Sequence, residues 1–417
     1  MKTINVEQDI NIHLENKGIS RKFFIYLFIM YALVYMTKNC FSSALADIVS
    51  SGILTKSQTG LITAMFYIVY TPLQVVGGII ADKFSPEKMI KIGLVGSAIA
   101  NAVIFFNHSY YLMLVVWTLN AVVQFSLWPS TYKIVSSQLC RSDRSYMIFF
   151  ISLASSFGLV VSYVVAAFMP SWEYNCALSA VVLFGLAVVL HIFDRTLNRY
   201  MKPDYEPIRP SGGAKEGVST VSLFARSGFF LMLIAVLCYT VVNQGARSLF
   251  PVMLVETFGK SASFGNLLNV LIIVSGICGT LLLKLVLYPK VIKNEVLGMI
   301  IFAVASLGSN LILVFASGLS VMVVSLCAVS LTTTVVSLLN SYFNASFTKF
   351  GKNGTAAGIS NAAASLAFAI SSYGVVKVAE VYDWQTVKVL WLALAAATVL
   401  VLLIILPLFT RFKKTSA

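Results

Sequence analysis

The chain has 417 residues, 58% of them hydrophobic and only 11% charged, with a mean hydropathy of +0.87. Soluble domains carry nearer to ~25% charged residues, so a soluble globular protein is excluded and a polytopic membrane protein, with the lipid bilayer as its surroundings, is expected. The formal charge of +14 is no argument for nucleic acid, because the basic residues lie between apolar runs and are not gathered in one domain.

Residues 1–21 are polar, lack the apolar core and small-residue cleavage site of a signal peptide, and read as a cytoplasmic tail. Crossing the hydrocarbon takes about 20 apolar residues. Runs of that length predict helices over 22–50, 59–81, 89–107, 110–135, 145–169 and 173–194. Residues 195–226 are hydrophilic, hold Pro203, Pro207, Pro210 and Ser211-Gly212-Gly213, and read as a cytoplasmic linker. Helices are predicted again over 227–256, 264–287, 293–315, 318–346, 354–379 and 386–410, with 411–417 as a second cytoplasmic tail. The expected fold is all-α: two six-helix bundles, 22–194 and 227–410, giving twelve transmembrane helices in all.

Alternate loops differ in charge. Lys83, Lys88 and Lys91 separate helices two and three, Arg141 and Arg144 separate four and five, and six basic residues populate the linker. Lys290, Lys293, Lys349, Lys352, Arg411, Lys413 and Lys414 fall on the same side, whereas the opposite loops hold little beyond Lys56 and Lys260. The positive-inside rule then puts both termini in the cytoplasm, with the protein in the plasma (inner) membrane. The six cysteines are dispersed through apolar runs with neither metal spacing nor a disulfide framework, so no metal or cofactor is expected.

Polar residues recur every third helix. Lys38 and Asn39 interrupt the first, and Asn120, Gln124 and Trp128 share a face of the fourth. Asn243 and Arg247 share a face of the seventh, and Thr332, Thr333, Asn340 and Asn344 mark the tenth. Helices five and eleven, and parts of two and eight, are rich in small residues that allow close contact. Helices one, four, seven and ten are therefore expected to line a polar space, with two, five, eight and eleven meeting across the halves. Lys38 stands fifteen residues beyond Phe23, or about 22 Å at ~1.5 Å per residue, past the bilayer midplane. Two placements are open to it: snorkelling to the nearer interface, or facing a wet cavity.

Acids are absent from every helix centre: Asp47 and Glu256 lie near outer ends, Asp82 and Asp194 near inner ones. A buried carboxylate of the kind used for proton relay or cation binding is therefore missing. The central charges are Lys38 and Arg247, two cations that an anionic ligand would partner. His13, His108 and His191 lie in a tail, an outer loop and a helix end, and no nucleophile–base set is spaced along a helix, so an enzyme is not expected.

Gly78-Ile79-Ile80-Ala81-Asp82-Lys83, followed by Lys88, resembles the loop signature of the major facilitator superfamily, and the repeat of six helices resembles its two parallel halves. In that reading Gly78, Asp82, Lys83 and Lys88 form a gating motif, while the second-half counterpart has decayed to Tyr288-Pro289-Lys290. Within the superfamily, Tyr35-Met36-Thr37-Lys38-Asn39-Cys40-Phe41 and the Gln124-to-Pro129 stretch are similar to the organophosphate:phosphate antiporters, the glycerol-phosphate and hexose-phosphate transporters. The resemblance places Lys38 where that family has a phosphate-binding arginine. The family's second arginine falls at Asn243, its helix-two lysine at Gln74 and its helix-five histidine at Ser155.

The expected activity is secondary transport of a small organic anion by a monomer working by alternating access. The ligand would lie between Lys38 and Arg247, with Gln124, Asn120, Asn243 and Asn340 as donors and Trp128, Tyr35 and Tyr239 packed on its carbon skeleton. A phosphate-ester substrate and phosphate as counter-substrate are implied by the resemblance alone. The alternatives are another major facilitator pump or symporter, revealed by proton-driven efflux of cationic dyes, and an anion sensor, revealed by binding without flux.

Overall fold

The computed structural model describes residues 11–14, 16–140, 143–197, 201–204, 219–287, 292, 294–350 and 352–416. Among these residues, twelve long helical elements stand where hydropathy puts them. In the first half they are α1 (Lys17–Ser50), α2 (Lys56–Lys83), α3 (Pro86–Phe106), α4 (Tyr110–Ser136), α5 (Arg144–Phe168) and α6 (Trp172–Leu197). In the second they are α7 (Phe229–Ser248, continued by Phe250–Phe258), α8 (Ala262–Leu287), α9 (Glu295–Phe315), α10 (Leu319–Leu338), α11 (Gly354–Val381) and α12 (Trp384–Ser416). The all-α expectation holds. Its one departure among the described residues is a short ribbon in which Asn11–Leu14 pairs antiparallel with Met201–Asp204.

The helices that carry the polar residues are the ones that break. In α1 the break is Asn39, whose side-chain amide donates to the Tyr35 carbonyl (2.8 Å). In α4 it is Phe125-Ser126, just before Pro129, which has no N–H to offer the Phe125 carbonyl. In α7 it is Leu249, followed by Pro251, which for the same reason leaves the Arg247 carbonyl without its helical donor. That carbonyl accepts instead from the Asn269 side-chain amide of α8 (2.6 Å) and from the Tyr163 hydroxyl of α5 (3.2 Å). In α10 it is Thr332-Thr333, whose hydroxyls bond the backbone carbonyls of Val329 and Ser330 in competition with the helix.

Among the described residues, four apolar cores sit between these helices. Call the linker side of the bundle the near end and the opposite side the far end. The near-end core of the first half, with Phe23, Leu94, Val135 and Leu190, is built from first-half residues alone. That of the second half, with Phe229, Met299, Phe343 and Phe409, uses second-half residues alone. The far-end cores cross over: one joins Leu45 and Ala46 to Phe250 and Trp391, and the other joins Ala369 to Phe41 and Trp117.

Charge follows the same division. Among the described residues, near-end ion pairs stay within a half: Arg21–Asp143 (2.7 Å), Lys91–Asp194 (2.6 Å) and Lys413–Glu295 (2.6 Å). At the far end one pair, Lys377–Glu380 (2.9 Å), stays within the second half, and other contacts bridge the halves. Lys56 meets Glu256 at 2.9 Å, the Trp384 indole donates to the same carboxylate at 2.8 Å, and Ser57 donates to Glu380. Gly60 of α2 lies so close to the Ser372 carbonyl of α11 that a methyl group there would collide with it. The halves are thus clasped at the far end, and the space between them lies toward the near end.

Candidate functional site

The Lys38 side chain is only 7% exposed, so it does not snorkel. Its ammonium sits 3.8 Å from the Tyr70 ring centroid, 5.2 Å from those of Phe66 and Tyr67, and 5.3 Å from that of Tyr35. Phe66, Tyr67 and Tyr70 come from one face of α2, whereas Tyr35 precedes Lys38 by three residues on α1. The ammonium makes no hydrogen bond or ion pair with any described residue. Ring faces attract a desolvated cation by ~2 kcal/mol or more, less than the several kcal/mol that burial of one ion costs. The cation is therefore held but not neutralised.

Tyr35 is shared between this cage and the wall of a cavity of about 580 Å³, which leaves the ammonium one ring away from the cavity. One side of the cavity is an aromatic ladder from α1 and α4. Tyr31 packs on Tyr35 (5.4 Å) and on Trp128 (4.9 Å), which packs on Tyr132 (5.8 Å). The facing side comes from Asn340, in the π-helical turn Leu339–Phe343 that continues α10, and from Ala357, Gly358 and Asn361 of α11. Gln74 of α2 and Ser155 of α5 complete the polar lining, and the Asn361 amide donates to Gln74 across the halves. The volume suits a drug-sized organic molecule.

Of the residues expected to bind a ligand, Tyr35, Trp128 and Asn340 are on this wall and Lys38 lies behind it. The others are held elsewhere. Gln124 donates to Asn120 (3.3 Å) inside the first half, where both are buried and the Asn120 amide nitrogen has no further partner. Arg247 is tied to α10, donating to the Ser330 hydroxyl (3.0 Å) and to Thr333. Asn243 accepts from Thr333 (3.2 Å) and donates to the Val329 carbonyl (3.0 Å), and the Tyr239 hydroxyl meets Thr332 (2.8 Å). Arg247 can lie there because α8 has Gly276 at the crossing, where a methyl group would occupy the guanidinium's place. The structure does not bring Arg247 to the cavity wall.

Of the gating motif, the side chains at Gly78, Asp82 and Lys83 fall outside the described residues, while Lys88 is exposed in the first turn of α3, which is capped by Ser85. Arg141, in the basic loop between helices four and five, also falls outside them, as does the side chain of Arg144.

Sequence reasoning missed three of the four cage rings, Phe66, Tyr67 and Tyr70, and part of the wall, Tyr31, Tyr132 and Asn361. A signal existed. Phe66, Tyr70 and Gln74 recur every four residues and so share one helical face with the position already marked as a departure from the expected lysine.

Residues 27–372 match the Major Facilitator Superfamily. The chain is 28% identical over 173 residues to the membrane sensor protein UhpC of Salmonella typhimurium, covering 41% of this chain and 39% of that protein. It is 25% identical over 123 residues to a probable hexose phosphate transport protein of Chlamydia trachomatis, covering 30% of this chain and 27% of that protein. The chain thus spans about two-fifths or less of the length of these curated relatives. In fold it is similar to the crystal structure of a bacterial homologue of the human lysosomal transporter Spinster, inward-facing and occupied. The TM-score is 0.66 with 14% identity, over 96% of this chain and 98% of that one.

Proposed function

The chain belongs to the major facilitator superfamily, and we propose that it is a secondary transporter of a small organic anion, with Lys38 as the cation that draws the ligand into the cavity. The observation that carries this reading is a buried ammonium, unpaired among the described residues, one ring away from a cavity between the two halves. An anion entering the cavity supplies the partner that four aromatic rings cannot. The aromatic ladder packs on its carbon skeleton, and Asn340, Asn361 and Gln74 donate to its oxygens.

The linker side is taken as cytoplasmic from the loop charges, so the conformation reads as inward-facing. Transport follows when the far-end clasp opens and the near end closes around the ligand, an exchange between two discrete arrangements of the halves. Phosphate esters are among the substrate candidates on the strength of the hexose phosphate relative, and inorganic phosphate as counter-substrate is implied by the resemblance of the Lys38 and Gln124 stretches to the antiporters. Arg247 is assigned the task of holding α7 to α10 while the halves rock.

A second reading is a membrane sensor, favoured by the likeness to UhpC. One experiment separates the two. Proteoliposomes loaded with phosphate are expected to take up labelled organic phosphate, and Lys38→Ala to reduce that uptake to background. Saturable binding without flux would make the chain a sensor, and full flux with Lys38→Ala would remove Lys38 from the site.

A further inference from the structure

Resting on the anion-site reading above, we infer that the cavity compensates a single negative charge. It takes monoanions (carboxylates, phosphodiesters, sulfate esters) in preference to dianionic phosphate monoesters, and Gln74 sets that limit.

The argument is a count of charge at the wall. Among the described residues lining the cavity there is no lysine, arginine, histidine, aspartate or glutamate. Lys38 is the cation whose described contacts set it beside that lining, reached through Tyr35. Arg247, the other cation at that depth, is bound by Ser330 and Thr333 and seated against Gly276, so its charge is committed within the second half. Lys388 donates to the Ala316 carbonyl (3.2 Å) at the far end.

The remaining donors are neutral: the carboxamides of Gln74, Asn340 and Asn361 and the Ser155 hydroxyl. A carboxamide satisfies an oxygen's hydrogen bonds but does not neutralise a second charge. A dianion would therefore bring one charge into a confined site with no counter-ion, which is the expensive case. Gln74 decides the matter by position. It lies one turn beyond Tyr70 on the same face of α2 and meets Asn361, so a cation there would stand between the Lys38 cage and the second half.

The test is binding by purified protein at about pH 7.5, where a phosphate monoester, with its second pKa near ~6, is mostly dianionic. Two matched pairs serve as probes: glucose 6-phosphate against its methyl phosphodiester, and methyl phosphate against dimethyl phosphate. Glucuronate and neutral glucose complete the set. Wild type is expected to bind each diester, and glucuronate, at least about tenfold more tightly than the corresponding monoester, a factor equal to ~1.4 kcal/mol. Gln74→Lys is expected to reverse the order within both pairs. Monoesters binding wild type as tightly as the diesters would overturn the inference and leave the anion site standing. No response to any anion would overturn that site and this inference together. Should Gln74→Lys fail to fold, the wild-type order decides alone.

Discussion

Replacing Lys38 by methionine, which keeps the length of the stem and removes the charge, should make the ligand-free protein more stable while destroying its response to anions. The ammonium is almost fully out of water, with one ring at 3.8 Å and three between 5.2 and 5.3 Å. The close ring and its neighbours supply ~2 kcal/mol or slightly more, against several kcal/mol for desolvating the ion. The balance leaves the lysine worse than an apolar residue of its size by about 1–3 kcal/mol. Methionine would keep its sulfur against the same rings, worth ~0.3–1.5 kcal/mol. Lys38→Met in detergent should therefore melt above wild type, and saturating glucuronate or phosphate, which raises the wild-type transition through binding, should leave the variant unmoved. A transition clearly below wild type would refute the reasoning, because it would mean that the ammonium has a structural partner and that the cage is a fold contact.

Two further substitutions probe the clasp and the α7–α10 tie. Gly60→Ala places a methyl group against the Ser372 carbonyl across the halves. It should disfavour far-end closure by ~1–3 kcal/mol, read as a several-fold rise in labelling of Ser372→Cys by a membrane-impermeant maleimide; unchanged labelling would show that the contact is not a gate. Gly276→Ala pushes into the Arg247 guanidinium and the Ser330 hydroxyl, and loss of its charge-assisted bonds should cost about 1.5–3 kcal/mol. Lower thermal stability is expected, with ligand affinity changed less than twofold; a large loss of affinity at unchanged stability would instead put Arg247 in the binding site.

The twelve helices and the division into halves were legible because hydropathy over twenty residues is a strong signal and a linker with three prolines is a clear interruption. The recurrence of polar residues every third helix was legible too, and those four helices are the ones that break. The target of each polar face was not. The fourfold spacing of Asn120 and Gln124 fits a cavity wall, but it fits equally well two side chains that bond each other, as they do. Asn243 and Arg247 do share a face, and that face is turned toward Ser330 and Thr333. The cage escaped notice for a different reason. Phenylalanine and tyrosine are both counted among the hydrophobic residues of the composition, so the chemistry that holds a cation was entered as membrane-spanning bulk.

The carbonyl that Pro251 leaves free on Arg247 has a consequence for the working cycle. One of its two donors, Tyr163, belongs to the other half. In the proposed cycle, parting the halves at the far end would withdraw that hydroxyl, leaving Asn269 as the carbonyl's described donor together with a phenol that has lost its acceptor. Water is the replacement at hand, so opening toward the far side should draw hydration inward as far as this joint. The proposed transition would then be a wetting event as well as a rigid-body motion, and replacing Tyr163 by phenylalanine would leave that carbonyl dependent on Asn269 or water before the halves ever part.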